Sequence, residues 1–504
     1  MTNPLYDALF GVHAGKDSVF LHLPDGSMIT HGGFLARAAQ FAHALTGAGL
    51  QTGDRVAFQL EKSPDALALY AACVQAGLVF LPLNIAYTAA EVAYFVENAQ
   101  ARLLLCDPTK AESLAPVAAK AGAALETLDA AGGGSFADRA ATQSSAFETV
   151  PRSGDDLAAL LYTSGTTGRS KGAMMTQTNL LSNARTLADL WQFDARDVLL
   201  HALPIFHTHG LFVATNVMLL SGGAMIFLPR LDVDALIAHM PRATTLMGVP
   251  TFYTRLLDHP EFTRAAAAHM RLFISGSAPL LTETHRAFEA RTGHRILERY
   301  GMTETNMNAS NPYNGPRRAG TVGPPLPDVE LRVTDPETGK ALAQGEIGMI
   351  EVRGPNVFKG YWQMPEKTAA ELRDDGFFIT GDLGLVDDQG YVQIVGRGKD
   401  LIISGGYNVY PKEVETVLDD QPGVLEAAVI GLPHRDLGEA PFAVIARDGV
   451  TEPDPTAILV ALSDQLARFK VPRACAVVDA LPRNTMGKVQ KNVLRDSFAE
   501  AFRD

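Results

Sequence analysis

The sequence predicts an α/β protein with two parts. A large N-terminal domain is built of α/β subdomains plus a β subdomain, and a small mobile α+β C-terminal domain follows it. The 504 residues are too many for one hydrophobic core. Helical and strand-like patterns alternate over two long blocks, which is typical of βαβ units and a largely parallel sheet. From about Pro324 short strands and turns replace this alternation, and the C-terminal part has a compact pattern of its own.

In the first block, helical patterns are each followed by an apolar run that predicts a buried strand. The predicted helix and strand pairs are Phe34–Leu45 with Arg55–Leu60, Pro64–Ala76 with Val79–Leu83, and Ala89–Asn98 with Arg102–Cys106. The interval from 118 to 146 is rich in Ala, Gly and Ser and only weakly periodic, so we expect it to include a surface loop.

The second block shows the same alternation after residue 172. Its predicted strands are Val198–Leu203, Ala224–Leu228, Thr244–Val249 and Leu272–Ser275. Asp232 is expected to cap the start of one helix, and Gly293 the end of the helix that begins near residue 281. Open α/β sheets bind ligands beyond the carboxyl ends of their strands, so functional residues are expected at that edge.

The C-terminal part alternates strands and helices on a smaller scale. The expected strands are Leu401–Ser404, Ala427–Ile430 and Phe442–Ala446, and the expected helices are Lys412–Leu418, Thr456–Arg468 and Val489–Phe502. Gly396 and Gly398 flank Arg397 and make a natural pivot. We therefore expect an N-terminal domain at 1–396, a hinge at 397–399 and a C-terminal lid domain at 400–504.

Composition excludes several classes of protein. A net charge of −13 argues against a nucleic-acid binder, whose affinity depends on many cationic contacts to phosphates. The three cysteines, Cys73, Cys106 and Cys475, lack metal or disulfide spacing and fit a reducing compartment. No signal peptide is expected in the first sixteen residues, and the apolar run at 211–220 is too short to span a bilayer. We expect a cytoplasmic protein without a membrane partner.

The stretch from Tyr162 to Gly172 has the composition of a phosphate-binding loop. It reads Tyr-Thr-Ser-Gly-Thr-Thr-Gly-Arg-Ser-Lys-Gly and follows the apolar strand pattern at 157–161. Glycines allow backbone N–H groups to turn inward, hydroxyls donate further hydrogen bonds, and Lys171 supplies a positive charge. It is not a Walker A loop, because the Gly-Lys-Ser/Thr ending is absent. A flexible surface linker of similar composition would not need a lysine at a fixed place.

This stretch resembles the AMP-binding signature of the acyl-adenylate-forming superfamily, although Ser170 stands where that family usually has Pro. Two further stretches resemble family motifs, 275–280 (Ser-Gly-Ser-Ala-Pro-Leu) and 298–304 (Glu-Arg-Tyr-Gly-Met-Thr-Glu). The resemblance implies ATP and Mg²⁺ as cofactors. The nucleotide-binding residues it implies are Thr163, Ser164, Gly165, Thr166, Thr167, Gly168, Lys171, Ser277, Ala278, Glu298, Arg299, Tyr300 and Thr303, with Glu304 and Thr163 as metal ligands.

Two more motifs follow in the order that the family has. Asp382 follows Thr-Gly at 380–381, and the resemblance implies that Asp382 and Arg397 bind the ribose hydroxyls. Lys488 ends a Pro-Arg-Asn-Thr-Met-Gly-Lys stretch, and it is implied to contact the carboxylate and the α-phosphate during adenylation. Lys491 stands where an Arg is common.

The resemblance also implies a two-step reaction. A carboxylate attacks the α-phosphate of ATP to give an acyl-adenylate and pyrophosphate, and the thiol of coenzyme A then displaces AMP. Lys488 and Thr303 are the implied catalytic residues of the first step. A rotation about Lys399 would then bring Gly405, Gly406 and Tyr407 to the pantetheine arm.

The acid pocket is implied to lie around 206–210, around 248–255 and after Glu304. The resemblance implies that His207 is a catalytic residue that gates the pocket, and that Thr208 and Met307 lie near the pocket floor. Arg255 is expected on the pocket wall as a buried cation that pairs with a second carboxylate, and Arg286 is a second candidate more typical of an exposed helix residue.

These segments closely resemble bacterial malonyl-CoA synthetases, which implies that malonate, ATP and CoA give malonyl-CoA, AMP and pyrophosphate. Other readings remain open. The chain could use another short carboxylic acid, load a carrier protein, or be a non-catalytic nucleotide-binding regulator. A lysine acetyltransferase acting on Lys488 is a further hypothesis, because an accessible catalytic lysine loses its charge when acylated.

Overall fold

The computed structural model describes residues 3–163, 170–404, 407–434, 437–466, 468–484 and 487–502. The first block contains α1 (Pro4–Leu9), β1 (Val19–His22), β2 (Met28–Thr30), α2 (His31–Gly47), β3 (Arg55–Gln59), α3 (Pro64–Gln75), β4 (Val79–Pro82), α4 (Ala89–Ala99), β5 (Leu103–Cys106), α5 (Ala111–Ala121), β6 (Ala124–Thr127), α6 (Ser135–Ala141) and β7 (Leu157–Thr163). The predicted helix and strand pairs of this block are confirmed. The interval from 118 to 146 holds β6 and α6 as well as the expected loop.

The second block contains β8 (Lys171–Thr176), α7 (Gln177–Leu190), β9 (Val198–His201), α8 (Asn216–Ser221), β10 (Ala224–Phe227), α9 (Val233–His239), β11 (Thr245–Gly248), α10 (Pro250–Asp258), β12 (Leu272–Ser275), α11 (Thr282–Thr292), β13 (Leu297–Met302) and β14 (Asn306–Ser310). A π-helix, His209–Thr215, leads into α8. Asp232 caps α9 by accepting from the Ala235 N–H, and Gly293 ends α11 at a φ of 81°, as the sequence predicts.

The remaining elements are β15 (Glu330–Thr334), β16 (Gly348–Arg353), α12 (Pro365–Glu371), β17 (Phe378–Val386), β18 (Val392–Arg397), β19 (Ile402–Ser404), β20 (Tyr407–Val409), α13 (Pro411–Asp419), β21 (Val424–His434), β22 (Gly438–Arg447), α14 (Pro455–Ser463), β23 (Ala474–Val478) and α15 (Lys491–Ser497). They include the predicted β subdomain and the α+β C-terminal part.

The described residues form four sheets. A six-stranded sheet has the order β6-β5-β3-β4-β7-β8, and an eight-stranded sheet has the order β14-β13-β12-β11-β9-β10-β1-β2. Their inner strands pair in parallel, whereas β2, β8 and β14 join antiparallel at the edges. A four-stranded sheet runs β15-β16-β17-β18, and a five-stranded sheet contains β20-β19-β22-β21 with β23 on β22. The predicted α/β fold with a smaller α+β part is confirmed.

The chain divides into two compact units. The first unit comprises Met1–Glu330 and Arg353–Phe378, and the second comprises Leu331–Val352 and Ile379–Asp504. The small four-stranded sheet therefore clusters with the C-terminal residues. The predicted hinge at 397–399 stays a prediction, because a division into compact units does not show how the units move. No helix in the described part of the chain is both long and apolar enough to cross a membrane.

Apolar faces build a core on the sheets of each unit. In the first unit, one cluster joins β3, β4 and β5 to α4 and α5 through Leu81, Val96 and Leu104. In the second unit, Val429 and Ile445 face α13 and α14, while Ile430 and Val444 face α15. This alternation along β21 and β22 follows from the period of two in a strand, which turns successive side chains to opposite faces.

Asp419, at the end of α13, generates a prediction on stability. Burial raises the pKa of its carboxyl to about 6, against the opposing effects of Lys412 and the Ala427 N–H. A carboxyl whose pKa is raised on folding stabilises the protein below its unfolded pKa and loses that contribution as pH rises through about 6. We expect Asp419→Asn to stabilise the second unit at pH 8 by about 1–3 kcal/mol, with no gain near pH 4.

Because the chain has two units, this change is best measured by hydrogen exchange of the α13 and β21 amides at the two pH values. The exposed neighbour variant Asp420→Asn is the control and should leave exchange unchanged. Equal protection of wild type and Asp419→Asn at pH 8 would contradict the prediction.

Candidate functional site

The candidate site lies at the carboxyl edge of the eight-stranded sheet in the first unit. Gly248, Ser275 and Glu298 are neighbours across β11, β12 and β13, so the segments that follow β11 and β12 leave the sheet beside β13, which continues to Met302. This is the edge at which open α/β sheets bind ligands.

His209 begins the π-helix and is enclosed by the protein, with 1% of its surface exposed. Its Nδ1 lies 3.3 Å from Ser277 Oγ, and burial together with the nearby Arg299 holds the pKa of His209 well below its usual value. The imidazole is therefore neutral at physiological pH. A π-helical turn is rare and is often found at functional sites.

Arg299, on β13, is a buried cation at this edge. Its side chain is only 3% exposed, and burial lowers the pKa of Arg299 to about 9. Its Nε and Nη2 have no hydrogen-bond partner among the described residues. A guanidinium removed from water without an anionic partner is strongly unfavourable, so this environment fits a negatively charged ligand group.

Other polar atoms at this edge lack partners as well. In the part of the chain that the structure describes, the buried polar atoms without a hydrogen bond include Thr208 Oγ1, His209 Nε2, Ser275 Oγ and both amide atoms of Asn306. Buried polar groups are normally paired, so such a concentration favours a polar ligand over a hydrocarbon one. Ser277 adopts a φ of 71°, a strained conformation for a residue other than glycine, as is common at functional sites.

The expected burial of Arg255 is wrong. On α10 the buried residues are Phe252, Tyr253 and Leu256, so the helical turn places Arg255 on the exposed face. Arg286 is likewise exposed on α11, opposite Thr284, His285 and Phe288. The 3.6-residue period of apolar side chains along each helix could have shown that both arginines lie on the exposed face. The roles of both residues as malonate ligands stay predictions.

The other predicted pocket residues have mixed environments. Thr208 and Met307 are buried, as expected for a pocket floor, and His207 is partly exposed. Met307 lies on β14, which packs against the π-helix, and its backbone is held by the Asn183 and Asn356 amides. The side chain of His207 accepts a hydrogen bond from the His209 N–H, so both histidines belong to one turn.

The predicted phosphate-binding stretch begins in β7 and ends in β8, two antiparallel strands whose pairing the sequence did not predict. Thr163 ends β7 and pairs with Lys171, the first residue of antiparallel β8. Lys171 Nζ lies 3.2 Å from both carboxylate oxygens of Glu371 and 4.1 Å from the centroid of the Tyr361 ring. The predicted residues Ser164, Gly165, Thr166, Thr167 and Gly168 lie outside the described residues.

The 298–304 motif supplies both structural and candidate functional groups. Glu298 pairs with His285 at 3.1 Å, and burial raises the pKa of Glu298. Tyr300 is buried and Thr303 partly exposed. Ala278 and Ser277, next to the end of β12, are partly exposed.

Glu304, which is 5% exposed, accepts a hydrogen bond from the Tyr361 hydroxyl at 3.1 Å. Its oxygens and the Thr163 hydroxyl are the hard ligands that Mg²⁺ prefers. No cluster of three or more His, Cys, Asp or Glu side chains able to hold a metal occurs among the described residues. One carboxylate fits Mg²⁺, because that ion is usually bound by one or two carboxylates with phosphates and water.

In the second unit, Asp382 and Arg397, which are predicted to bind the ribose, form an ion pair with each other. These residues face each other on β17 and β18, with Arg397 Nε 2.7 Å from Asp382 Oδ1. Lys399 lies exposed in the 3₁₀ turn Gly398–Asp400. Lys488 is exposed, and its N–H donates to Asn484 Oδ1.

Two of the predicted tunnel glycines, Gly405 and Gly406, lie outside the described residues, and the backbone of Tyr407 belongs to β20. Their roles stay predictions.

Comparison with known proteins identifies the family. The model of the AMP-binding enzyme family matches residues 12–362, and that of the AMP-binding enzyme C-terminal domain matches residues 413–488. The chain belongs to the AMP-binding enzyme family.

Individual relatives cover nearly the whole chain. The malonate–CoA ligase of Arabidopsis thaliana is 36% identical, over 90% of this chain and 79% of its own length. The feruloyl-CoA synthase of an Amycolatopsis species is also 36% identical, over 94% of each chain. The crystal structure of ATP-bound MatB from Rhodopseudomonas palustris is 58% identical, covers all of both chains and has a TM-score of 0.98.

Gly276 allows the approach of Arg299. A Cβ atom at residue 276 would overlap the Arg299 guanidinium. We expect Gly276→Ala to destabilise the protein by about 1–3 kcal/mol, because the enclosed side chain has little room to move. Thermal denaturation measures this change.

Gly47→Ala is a matched control, because residue 47 is helical and an added Cβ would have no neighbour within 4 Å. That variant should be neutral or slightly stabilising. A similar melting temperature for wild type, Gly276→Ala and Gly47→Ala would show that the Arg299 environment is looser than described.

Proposed function

We propose that the chain is an ATP-dependent malonate–CoA ligase, an enzyme that converts malonate, ATP and CoA to malonyl-CoA, AMP and pyrophosphate through a malonyl-adenylate. The observation that supports this best is the buried guanidinium of Arg299, whose Nε and Nη2 have no partner among the described residues. Malonate carries a second carboxylate that would complete this ion pair. The similarity to a malonate–CoA ligase supports the same conclusion.

The polarity of the site distinguishes malonate from other acids of this family. Arg299, His209 and Ser277 offer donors to a carboxylate that does not react. An acetate or a ferulate would leave the buried cation without an anion, and an uncompensated buried charge costs about 3–5 kcal/mol. We therefore assign the distal carboxylate to Arg299 instead of to the exposed Arg255 or Arg286.

In adenylation the protein forms no covalent bond to the substrates, and its residues act by positioning them and stabilising charge. An oxygen of the reacting carboxylate attacks the α-phosphorus of ATP, the bond to the bridging oxygen breaks, and pyrophosphate leaves. We assign Lys171 and the loop at 163–168 to the phosphates, Thr303 and Lys488 to the α-phosphate, and His207 to the gate over the acid. A magnesium ion held by Glu304 and Thr163 would neutralise phosphate charge.

Thioester formation follows from the same assignments. The CoA sulfur attacks the carbonyl carbon of the adenylate, and AMP leaves with the oxygen that it shared. We propose that Asp382 and Arg397 bind the ribose, that the chain pivots at Lys399, and that Gly405, Gly406 and Tyr407 admit the pantetheine arm. The exposure of Lys488 is consistent with acetylation, which mass spectrometry of the isolated protein would detect.

The reaction is tested by pyrophosphate release from ATP with a panel of acids, each with and without CoA. We expect malonate to be the best substrate, with acetate and ferulate far behind, and CoA to be consumed stoichiometrically. Malonate-dependent adenylation without thioester formation would favour loading of a carrier protein. Absence of release with every acid would favour a non-catalytic nucleotide-binding regulator.

The assignment of Arg299 generates a second prediction. Arg299→Met keeps most of the side-chain volume and removes the charge, so we expect kcat/KM for malonate to fall by about 100-fold or more. The weak turnover of acetate should change little or rise, because acetate makes no use of the cation. The ATP KM and the melting temperature report whether the fold survives.

Arg255→Ala is the competing variant in the same assay. If that change abolishes malonate turnover while Arg299→Met leaves it intact, the distal carboxylate belongs to Arg255 as the sequence first indicated, and the assignment to Arg299 is wrong.

A further inference from the structure

One short segment connects the two groups that we assign to magnesium and phosphate. The Phe358 N–H donates to the Glu304 carbonyl at 2.8 Å, and the Trp362 N–H donates to the Gly172 carbonyl of β8 at 2.7 Å. Between them, Gly360 and Lys359 pair with Met174 of the same strand. Residues 358–362 thus run from the turn that carries Glu304 to the strand that begins with Lys171.

The side chains complete this connection. The Tyr361 hydroxyl lies 2.6 Å from Glu371 Oε2 and 3.1 Å from Glu304 Oε1. Glu371, the last residue of α12, also holds Lys171, and its Oε1 lies 2.8 Å from Lys367 Nζ. All five residues belong to the first compact unit.

A phenol has one proton to donate, so the two carboxylates compete for it. A cation bound to Glu304 would replace the hydrogen bond from Tyr361 to that carboxylate, and the Tyr361 hydroxyl would then donate to Glu371 alone. A triphosphate that binds Lys171 would remove a cationic partner from Glu371, and the hydrogen bond from Tyr361 would then stabilise the Glu371 carboxylate more strongly. Cation binding at Glu304 and release of Lys171 from Glu371 therefore favour each other. Lys367 remains paired with Glu371 and balances its charge.

We propose that Tyr361 and Glu371 are positioning residues that couple cation binding at Glu304 to the transfer of Lys171 from Glu371 to the phosphates of ATP. The proposal rests on the proposed function, which assigns Glu304 and Lys171 to these partners. Neither Tyr361 nor Glu371 touches substrate in this scheme. The two residues set how much magnesium strengthens nucleotide binding.

The test is calorimetric binding of adenosine 5′-(α,β-methylene)triphosphate, once with excess Mg²⁺ and once with a chelator. The ratio of the two affinities contains the intrinsic effect of Mg²⁺ on the nucleotide, which is the same for every variant and cancels between them. We expect Tyr361→Phe to lower this ratio by about tenfold, mainly by weakening binding in the presence of Mg²⁺.

Glu371→Gln provides a second, different signature. It removes the charge that holds Lys171, so binding with the chelator should strengthen while the ratio falls. Tyr87→Phe removes a hydroxyl elsewhere in the same unit and should leave both affinities at the wild-type values. A merely structural role of Tyr361 would weaken binding equally under both conditions, and that result, or an unchanged ratio, would overturn the proposal.

The assay contains neither acid nor CoA, so it separates this inference from the choice of malonate. If the wild type binds the analogue but does not activate malonate, the malonate assignment fails and the coupling can still hold. If the wild type does not bind the analogue at all, the roles of Lys171 and Glu304 are wrong and the proposal falls with them.

Discussion

A guanidinium enclosed by protein must find an anion, and this requirement organises the acid site. Arg299 is held on β13 against Gly276, with neutral His209 and Ser277 beside it. None of these neighbours carries negative charge. In the proposed function an anion from outside the chain completes the ion pair, and the cation then serves to select substrates.

The geometry of the sheet explains why such a site can be rigid. Strands β11 and β12 end side by side at Gly248 and Ser275, next to Glu298 of the parallel strand β13, so the segments that follow β11 and β12 leave the sheet beside Arg299. The π-helix adds His209 and buried Thr208 at this edge. In this turn Gly210 approaches the Pro204 backbone so closely that a side chain at residue 210 would be blocked.

Local patterns in the sequence were sufficient for the fold class and for the ends of two helices. The helix caps at Asp232 and Gly293 were predicted, because each depends on a short motif. The ion pair of Asp382 with Arg397 was not predicted, since the resemblance implied only that both residues bind the ribose. The β7–β8 hairpin was missed, since the loop of hydroxyls and glycines hid a strand that starts at Lys171. Arg299 was assigned to the nucleotide, because its burial depends on the facing Gly276, which is distant in sequence and carries no local signal.

The two cations of the first unit illustrate different electrostatic solutions. Lys171 already has a carboxylate partner, so in the proposed function a phosphate replaces one anion by another and the net gain in binding is small. Arg299 Nε and Nη2 have no such partner in the part of the chain that the structure describes, so in the proposed function a diacid gains the full benefit of pairing with the buried charge. A cation that already has a partner suits the nucleotide, because weak net binding allows the nucleotide to be released after each turnover. An unpaired one suits the substrate that must be chosen, because a competitor without the second carboxylate leaves the cost of the buried charge in place.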